Sequence, residues 1–462
     1  MIQTRFGERI VTTAEADLQP WLTDWRGKFH GRSPAILSPA KTDEVAAIVA
    51  LAAELGVPLV PQGGNTSMVG GATPPPDGSA VLLSLRRMNR LRSIDPGRNI
   101  AIAEAGMILA NLHDAAAEVS RRFPLTLGAR GSCTVGGLVA TNAGGTQVLK
   151  FGTMRSLVAG VEAVLPDGSV YDGLKVLKKD NRGYSIDQLL VGSEGTLGIV
   201  TAAALRLVPA IALRAVAWVG IATSDAALEM LHRLQEAGEG VEGFELIPGD
   251  ALQLVLEHVP GTRPPLAQDH AWHALIEATS FTHSEDPGEF LGRVIAAALQ
   301  DGTVEDAVIA SSELQANDFW RIRDSISEAE RAEGPTLAHD ISVPVDDMPS
   351  FIGCAVQEAE RAFPGVSASA FGHLGDGNVH FHVRASTLPA RDFAAAAPAI
   401  TRLVHDLVTN AGGSISAEHG IGQMKLDEFE RLAPPGRLAA LRAIKHALDP
   451  QGIMNPGKLI RV

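Results

Sequence analysis

Pro61-Gln62-Gly63-Gly64-Asn65-Thr66-Ser67 is a glycine-rich loop that directly follows a short apolar strand predicted over residues 57–60. A helix precedes this strand, because apolar residues recur at helical spacing between Thr42 and Leu55. A strand that runs into glycines lets backbone N–H groups come close to a phosphate. Glycines also mark ordinary turns and tight packing, so this loop alone leaves both interpretations open.

Two further glycine-dense segments lie downstream, at residues 131–145 and 191–200. Three such segments, with Ser, Thr and Asn side chains among the glycines, suit a long cofactor with a pyrophosphate in its middle. No Gly-Lys-Ser/Thr follows the glycines, and none of the segments has the Gly-x-Gly-x-x-Gly spacing of a dinucleotide-binding Rossmann helix. The sequence therefore argues against ATP and NAD.

A second pattern is the turn within Phe371-Gly372-His373-Leu374-Gly375-Asp376-Gly377-Asn378-Val379-His380, which two histidines bracket. Residues 368–374 and 379–383 are predicted to be strands, and the glycines, Asp and Asn between them tolerate the positive φ of a tight turn. His373 and His380 are then expected to face one another across the hairpin.

Two imidazoles and the carboxylate of Glu418, with one position left open, form the ligand set of a catalytic metal site. Zn²⁺ is the first expectation for His373, His380 and Glu418, and Mn²⁺ and Fe²⁺ are alternatives. His419, next to Glu418, is left for proton transfer. The alternative is that the histidines are ordinary hydrogen-bonded residues at strand ends, and the metal is favoured because all four residues occur as a set.

Composition sets limits on size and partners. The chain has 462 residues, which is too long for one hydrophobic core and predicts two or three packed units. Its 39 Lys and Arg against 53 Asp and Glu give a net charge of −14, which argues against nucleic acid or an anionic membrane surface as a partner. The two cysteines, Cys133 and Cys354, are predicted to be buried small residues. No signal peptide or transmembrane segment is recognisable, so we expect a soluble, cytoplasmic protein.

Four motifs carry a family resemblance: the loop at residues 61–67, residues 136–145, residues 192–198 and the terminal Asn455-Pro456-Gly457-Lys458. Together they resemble FAD-binding flavoproteins of the vanillyl-alcohol oxidase type. The two-histidine turn and Glu418-His419-Gly420-Ile421-Gly422 are similar to one branch of these, the FAD-linked D-2-hydroxy acid dehydrogenases. That branch includes enzymes that oxidise D-lactate, D-2-hydroxyglutarate and glycolate.

The resemblance extends from Asp24 to Lys458 and implies an α+β fold with three parts. An FAD-binding domain of two α/β lobes is expected over residues 1–209. A substrate or cap domain with an antiparallel sheet is expected over residues 210–414, and a C-terminal segment, residues 415–462, is expected to return to the FAD-binding domain.

The resemblance also implies which residues contact FAD. They come from the three glycine segments and the terminal motif: Pro61, Gly63, Gly64, Asn65, Thr66, Ser67, Gly131, Ser132, Thr134, Gly136, Gly137, Ala140, Thr141, Asn142, Gly144, Glu194, Gly195, Gly198, Ile199, Val200 and Asn455. Some family members attach FAD covalently through a histidine where this chain has Asn65. FAD is therefore expected to be bound non-covalently.

The implied reaction is oxidation of a D-2-hydroxy acid to the 2-oxo acid, with hydride transfer to flavin N5. By similarity, Arg323 binds the substrate carboxylate, with Arg321 as the neighbouring alternative, and Ser327 is a nearby hydroxyl donor. His419 is the expected general base, and Asn378 is expected to contact the substrate or orient a ligand. A quinone or an electron-transferring flavoprotein is the expected electron acceptor.

Two residues depart from the pattern of D-2-hydroxyglutarate enzymes. Ala338 stands where a lysine is expected for the distal carboxylate, and His382 stands where an asparagine is often found. D-2-hydroxyglutarate and D-lactate therefore stay open as substrates. An accessory flavin-binding subunit without activity of its own is the alternative function, and a metal-free alcohol or sugar oxidase is a third. The oligomeric state is open, a homodimer being one of the states considered.

Overall fold

The computed structural model describes residues 5–462, which form two compact units from discontinuous stretches of chain. The first unit comprises the described residues up to Gly145, together with Phe151–Ala210 and Glu418–Val462, and the second comprises Thr146–Lys150 and Ile211–Ala417. The three-part domain division stays a prediction, and its residues 1–4 lie outside the described part of the chain.

Both units combine helices and strands, as expected for an α+β chain. The strands are β1 Val11–Thr12, β2 Ile36–Leu37, β3 Leu59–Gln62, β4 Val81–Ser84, β5 Leu91–Asp95, β6 Ile100–Glu104, β7 Arg121–Arg122, β8 Val158–Val164, β9 Val170–Asp172, β10 Ile199–Arg206, β11 Val208–Pro209, β12 Leu213–Ile221, β13 Val241–Pro248, β14 Trp272–Ser280, β15 Asp306–Ile309, β16 Thr336–Ser342, β17 Val366–His373 and β18 Asn378–Ala385. The helices are α1 Glu15–Leu18, α2 Thr42–Leu55, α3 Leu109–Glu118, α4 Val135–Thr141, α5 Val148–Phe151, α6 Met154–Leu157, α7 Ile186–Leu190, α8 Ser224–Ala237, α9 Gly249–His258, α10 Pro287–Asp301, α11 Glu313–Asp324, α12 Ile326–Ala332, α13 Met348–Ala362, α14 Ala390–Asn410, α15 Leu426–Leu432 and α16 Pro435–Leu448.

The first unit contains two main sheets, which form the expected α/β lobes. One has the strand order β1-β2-β4-β3, and its strands β2, β4 and β3 are parallel. The other is antiparallel, with the order β5-β6-β10-β8-β9. Its central strand β10 is almost completely buried, as expected for a run of apolar and small residues with strands on both sides.

Helix α2 has the bounds that the apolar periodicity predicts. Val45, Ile48 and Val49 are buried, whereas Leu55, expected on the same face, is 47% exposed at the helix end. Gly56 ends the helix with a φ of +64°, a left-handed conformation that glycine adopts without steric cost.

The C-terminal segment returns to the first unit, as expected. Leu59 donates its amide hydrogen to Ile453 O at 2.8 Å, and Asn455 donates to Leu59 O at 2.9 Å. Residues 453–455 thereby run alongside β3, immediately before the first glycine loop.

The second unit is built on one antiparallel sheet of seven strands with the order β15-β12-β14-β13-β17-β18-β16. The predicted hairpin is present as β17 and β18. His373 lies opposite Asn378 and His380 opposite Phe371, so the two histidines are diagonal neighbours on one face of the sheet. Asp340 on β16 lies opposite His380 and therefore projects from the same face.

Two details outside the sheets differ from the sequence expectations. Thr146–Lys150 belong to the second unit, in which Lys150 Nζ lies 3.3 Å from Glu242 Oε1. Cys133 is buried, as predicted. Cys354 is exposed because it lies outside the buried face of α13. Across residues 5–462, no helix combines the length and apolar character needed to cross a membrane.

Candidate active site

A cavity of about 650 Å³ opens in the first unit where the three glycine segments meet. Its wall contains every predicted FAD-contacting residue except Gly131, Asn142 and Asn455. Glu418 and His419 line the same cavity. A cavity of this size is typical of a small-molecule or cofactor site.

The two asparagines outside the cavity wall have structural partners. Asn142 caps α4 in a left-handed conformation, and its Oδ1 accepts from the amide of Arg155 at 2.8 Å. Asn455 Nδ2 donates to Gly71 O at 3.0 Å and to Glu194 O at 2.7 Å. Both side chains hold the loops that line the cavity, and their contact with FAD stays a prediction.

Unsatisfied donors in the cavity wall fit a phosphate-containing cofactor. The amides of Gly64, Asn65, Thr66 and Ser67 donate to no acceptor among the residues that the structure describes. Thr134 Oγ1 is buried and likewise has no partner within residues 5–462. Consecutive free amides form a concave anion site, and a buried hydroxyl without a partner is costly unless a ligand supplies one. These residues fit FAD.

A cluster of polar side chains in the second unit lies on the sheet face that carries His373 and His380. The centre of this group is Glu245 on β13, which is almost fully buried and lies opposite His373. Glu245 Oε1 is 2.5 Å from His373 Nδ1, and Glu245 Oε2 accepts from Arg323 Nε at 2.6 Å. One carboxylate therefore orients two of the predicted site residues.

Burial and neighbouring charges shift the pKa values of Glu245 and His380. Burial alone would raise the pKa of Glu245, but the charges of Arg323 and His373 outweigh burial and hold the pKa at about 2. Burial and the same two charges hold the pKa of His380 well below its usual range. His380 is thus a neutral imidazole near pH 7, which is the form that binds metals.

The structure separates the two arginine candidates on α11. Arg321 is exposed, and its Nη2 donates to Pro260 O at 2.7 Å. Arg323 points to the polar face, where its guanidinium lies 5.6 Å from the ring centroid of Phe371. Ser327, on the following helix α12, is half-buried. Arg323 is therefore the arginine that lies with the histidines.

Asn378 also belongs to this face. Its Nδ2 donates to Asp340 Oδ1 at 3.0 Å and to Ile341 O at 2.9 Å. Its Oδ1 is buried and, among the described residues, has no hydrogen-bond partner. An amide oxygen held in this way is available to a ligand, which agrees with the contact predicted for Asn378.

The two departures from the D-2-hydroxyglutarate pattern are direct neighbours. Ala338 on β16 lies opposite His382 on β18. Ala338 is exposed, whereas His382 is buried and its Nδ1 contacts the carboxylate of Glu330. The two departures therefore lie on the same patch of the sheet.

The spacing of the two histidine rings is compatible with a shared metal ion and equally with edge-to-face packing. Their ring centroids are 5.3 Å apart and their planes are nearly perpendicular. Two imidazoles on one tetrahedral ion, with bonds of about 2 Å, would place their centroids about 5 Å apart. The carboxylate of Glu245 on His373 Nδ1 is the outer partner usual for a metal-binding histidine. Glu418, the third predicted ligand, belongs to the first unit.

Sequence reasoning did not identify Glu245. The available signal was the pair of glutamates, Glu242 and Glu245, in the otherwise uncharged stretch Val241–Pro248. A glutamate on a buried strand needs a cationic partner, so Glu245 could have been marked as a functional candidate. Its partners, Arg323 and His373, are too distant in sequence for any local pattern to reveal them.

Comparisons with known proteins agree with this arrangement. The family model for the C-terminal domain of FAD linked oxidases matches residues 212–459, and an FAD binding domain matches residues 33–173. The mitochondrial D-2-hydroxyglutarate dehydrogenase of Arabidopsis thaliana is 35% identical over 455 residues, which cover 98% of this chain and 80% of that protein. The D-2-hydroxyglutarate dehydrogenase of Xanthomonas citri pv. viticola is 34% identical, over 97% of this chain and 94% of that protein.

A solved structure shows the same fold at lower identity. Substrate-bound p-cresol methylhydroxylase superposes with a TM-score of 0.71 at 16% identity, covering 99% of this chain and 95% of that one. The fold is therefore that of vanillyl-alcohol oxidase type flavoproteins, as the glycine segments predict.

Proposed function

The chain belongs to the FAD-linked oxidase family, and from this premise we propose that it oxidises a D-2-hydroxy acid to the 2-oxo acid, with D-2-hydroxyglutarate as the first candidate substrate. The observation that carries the proposal is the position of His419, which lines the same cavity as the three glycine segments. A proton-accepting side chain in the wall of the FAD-binding cavity is what dehydrogenation of an alcohol needs.

Oxidation of the hydroxy acid removes a proton from oxygen and a hydride from carbon. FAD, when bound, supplies the acceptor for the hydride. His419 takes the hydroxyl proton, a step worth roughly 10²–10⁴-fold in rate for a well-placed base. Arg323 binds the substrate carboxylate through its guanidinium, and Ser327 and Asn378 add hydrogen bonds that orient the substrate.

A divalent metal, with Zn²⁺ as first candidate, stays part of the proposal. His373, His380 and Glu418 would hold it, and it would lower the pKa of the substrate hydroxyl by Lewis acidity. Support comes from the neutral His380 and from the carboxylate on His373. The chain's own contribution is to orient His373 through Glu245 and to keep His380 unprotonated.

The substrate is proposed from two lines of support. The relatives named above act, by their names, on D-2-hydroxyglutarate. The pair formed by Ala338 and His382 changes the patch where a second cation is expected, so D-lactate stays the alternative. A separate acceptor, a quinone or an electron-transferring flavoprotein, takes the electrons onward, and a cytoplasmic location is part of the same proposal.

The test is anaerobic bleaching of the bound flavin by a panel of D- and L-2-hydroxy acids, before and after treatment with EDTA. We expect D acids to bleach the flavin, L acids not to, and EDTA to abolish bleaching until Zn²⁺ or Mn²⁺ is returned. Bleaching that is insensitive to EDTA would remove the metal and keep the dehydrogenase. Absence of bleaching by every D acid, with FAD bound and metal added, would contradict the proposed function.

A further inference from the structure

We propose that Glu194 is a positioning residue, whose buried carboxylate holds the segment carrying Glu418 and His419 in the wall of the cavity. This inference rests on the proposed function, because it assigns a role in that reaction to a residue that does not act on the substrate itself.

The carboxylate of Glu194 is used entirely within the protein. Oε1 accepts from the amide of Ile421 at 2.7 Å, and Oε2 accepts from the amide of Gly422 at 2.7 Å. Glu194 is 7% exposed, so both bonds are shielded from water. Bonds from amides to a buried carboxylate are stronger than bonds between neutral groups. Glu194 thereby fixes the chain two residues after His419.

The segment after His419 is shaped to fit around this carboxylate. Gly420 has a φ of +81°, and a Cβ there would lie 2.8 Å from Glu194 Oε1. Gly422 has a φ of +53°, and a Cβ there would lie 2.3 Å from Val69 O. A side chain at either position would collide with a neighbouring atom, and at Gly420 that atom belongs to Glu194.

The backbone around Glu194 is itself fixed by hydrogen bonds. The φ of Glu194 is +53°, an uncommon conformation for a residue with a side chain. Asn455 Nδ2 donates to Glu194 O at 2.7 Å, and Lys445 Nζ donates to Thr196 O at 2.8 Å. Backbone strain of this kind persists only where the surroundings enforce it.

A second anchor of the segment is the stretch Val69–Gly70, which directly follows the first glycine loop. Gln423 and Met424 donate their amide hydrogens to Val69 O at 3.1 and 3.2 Å, and Gln423 Nε2 donates to Gly70 O at 2.8 Å. Glu194 thus completes a set of bonds that ties the segment after His419 to the third glycine segment and to the residues after the first. Loss of its carboxylate is expected to free the segment on one side only.

The decisive variant is Glu194→Gln, studied with FAD bound. Its side chain has nearly the same shape, but one oxygen becomes an amide that cannot accept from Ile421 or Gly422. Hydrogen exchange of the peptide covering residues 418–425 is expected to become roughly tenfold faster, as for the loss of one charge-assisted hydrogen bond. The rate constant for flavin reduction by D-2-hydroxyglutarate is expected to fall roughly 10²-fold. The half-saturating substrate concentration should stay the same.

Ser193→Ala is the matched control. Its hydroxyl is buried beside Glu194, has no partner among the described residues and does not line the cavity. Exchange and reduction rate should match the unmodified chain. If Glu194→Gln does not retain FAD, Gly420→Ala presses on the same contact from the other side and should give the same faster exchange.

Unchanged exchange of residues 418–425 in Glu194→Gln would overturn the positioning role. Faster exchange with an unchanged reduction rate would also overturn it, because His419 would then not depend on this contact. If the unmodified chain is reduced by no D-2-hydroxy acid, the proposed function fails, and hydrogen exchange alone still decides whether Glu194 holds the segment.

Discussion

Glu245 Oε1 lies 2.5 Å from His373 Nδ1, a contact between residues 128 positions apart in sequence. The carboxylate fixes the orientation of the imidazole, and the ring centroid of His380 lies 5.3 Å from that of His373. The same carboxylate accepts from Arg323. One buried strand residue therefore connects the proposed metal ligand with the proposed substrate-binding arginine.

Replacement of this carboxylate should weaken metal binding. We expect Glu245→Gln to lower the affinity for Zn²⁺ or Mn²⁺ by roughly 10–100-fold, because the imidazole loses the partner that orients it and raises its basicity. The measurement is a metal titration against a competing chelator. Glu330→Gln is the control, since Glu330 contacts Nδ1 of His382, which is not a proposed ligand. Equal affinity in both variants would contradict the metal site.

Ala338→Lys should increase the preference for a dicarboxylic substrate. A lysine at this position would place a cation opposite His382, and we expect kcat/KM for D-2-hydroxyglutarate relative to D-lactate to rise roughly tenfold or more, as for one hydrogen bond to a charged group. Steady-state kinetics with an artificial acceptor measure the ratio. Ala338→Met supplies the length without the charge and should leave the ratio unchanged. An equal gain with methionine would argue against charge recognition.

Thr134→Val should weaken FAD binding with little effect on the fold. The hydroxyl is buried in the cavity wall without a partner among the described residues, and valine keeps its shape. We expect the Kd for FAD to rise roughly fivefold, which corresponds to one neutral hydrogen bond. Recovery of flavin fluorescence on dilution measures the Kd. Ser193→Ala removes a comparable hydroxyl outside the cavity wall and should not change it.

FAD should separate from the denatured chain. Asn65 offers no nucleophilic atom for a covalent link, and its Nδ2 donates to Thr23 O at 2.9 Å. We expect all of the flavin absorbance to pass an ultrafilter after denaturation in guanidinium chloride. Yellow colour retained with the chain would show a covalent attachment elsewhere.

His273 should make the stability of the second unit depend on pH. It is buried, accepts from Trp218 Nε1 at 3.1 Å, and burial lowers its pKa from 6.5 to about 4. Between these values the unfolded chain binds a proton that the folded protein does not, so the free energy of unfolding should fall as the pH falls from about 6.5 to about 4. The loss is about 3 kcal/mol from a shift of this size.

The matched variant is His273→Gln, which keeps a hydrogen-bond acceptor near Trp218 but does not titrate. Chemical denaturation at several pH values, with His273→Gln as reference, isolates this contribution from other groups. A difference between the two proteins that does not change with pH would show that His273 is already protonated in the fold or exposed.

Local sequence patterns were sufficient to place some elements, although the strand predicted over residues 57–60 lies at Leu59–Gln62. Helix α2 has the bounds that its apolar spacing predicts, and the hairpin of β17 and β18 surrounds the predicted turn. The hairpin strands extend one to two residues beyond the prediction at most of their ends, because pairing with neighbouring strands continues where the sequence pattern weakens. The glycine segments indicated the cavity because a backbone that lies close to a ligand or to another strand selects glycine at each such position.

Contacts between distant residues could not be obtained in this way. Glu194 accepts from two backbone amides, whereas Glu245 contacts an arginine and a histidine. Nothing near either glutamate in sequence indicates this difference. Glu194 was expected to contact FAD, and although it lines the cavity its carboxylate is bonded to the segment after His419.

Motif spacing indicated the FAD cavity, and the family resemblance that the motifs carry implied the α+β class and the candidate catalytic residues, because motifs depend on residue type and short-range order. The choice of Arg323 over Arg321, the pairing of Ala338 with His382 and the carboxylates that orient the site depend on strand register and helix rotation. Register and rotation are set by packing of the whole unit, so the folded chain alone could reveal them.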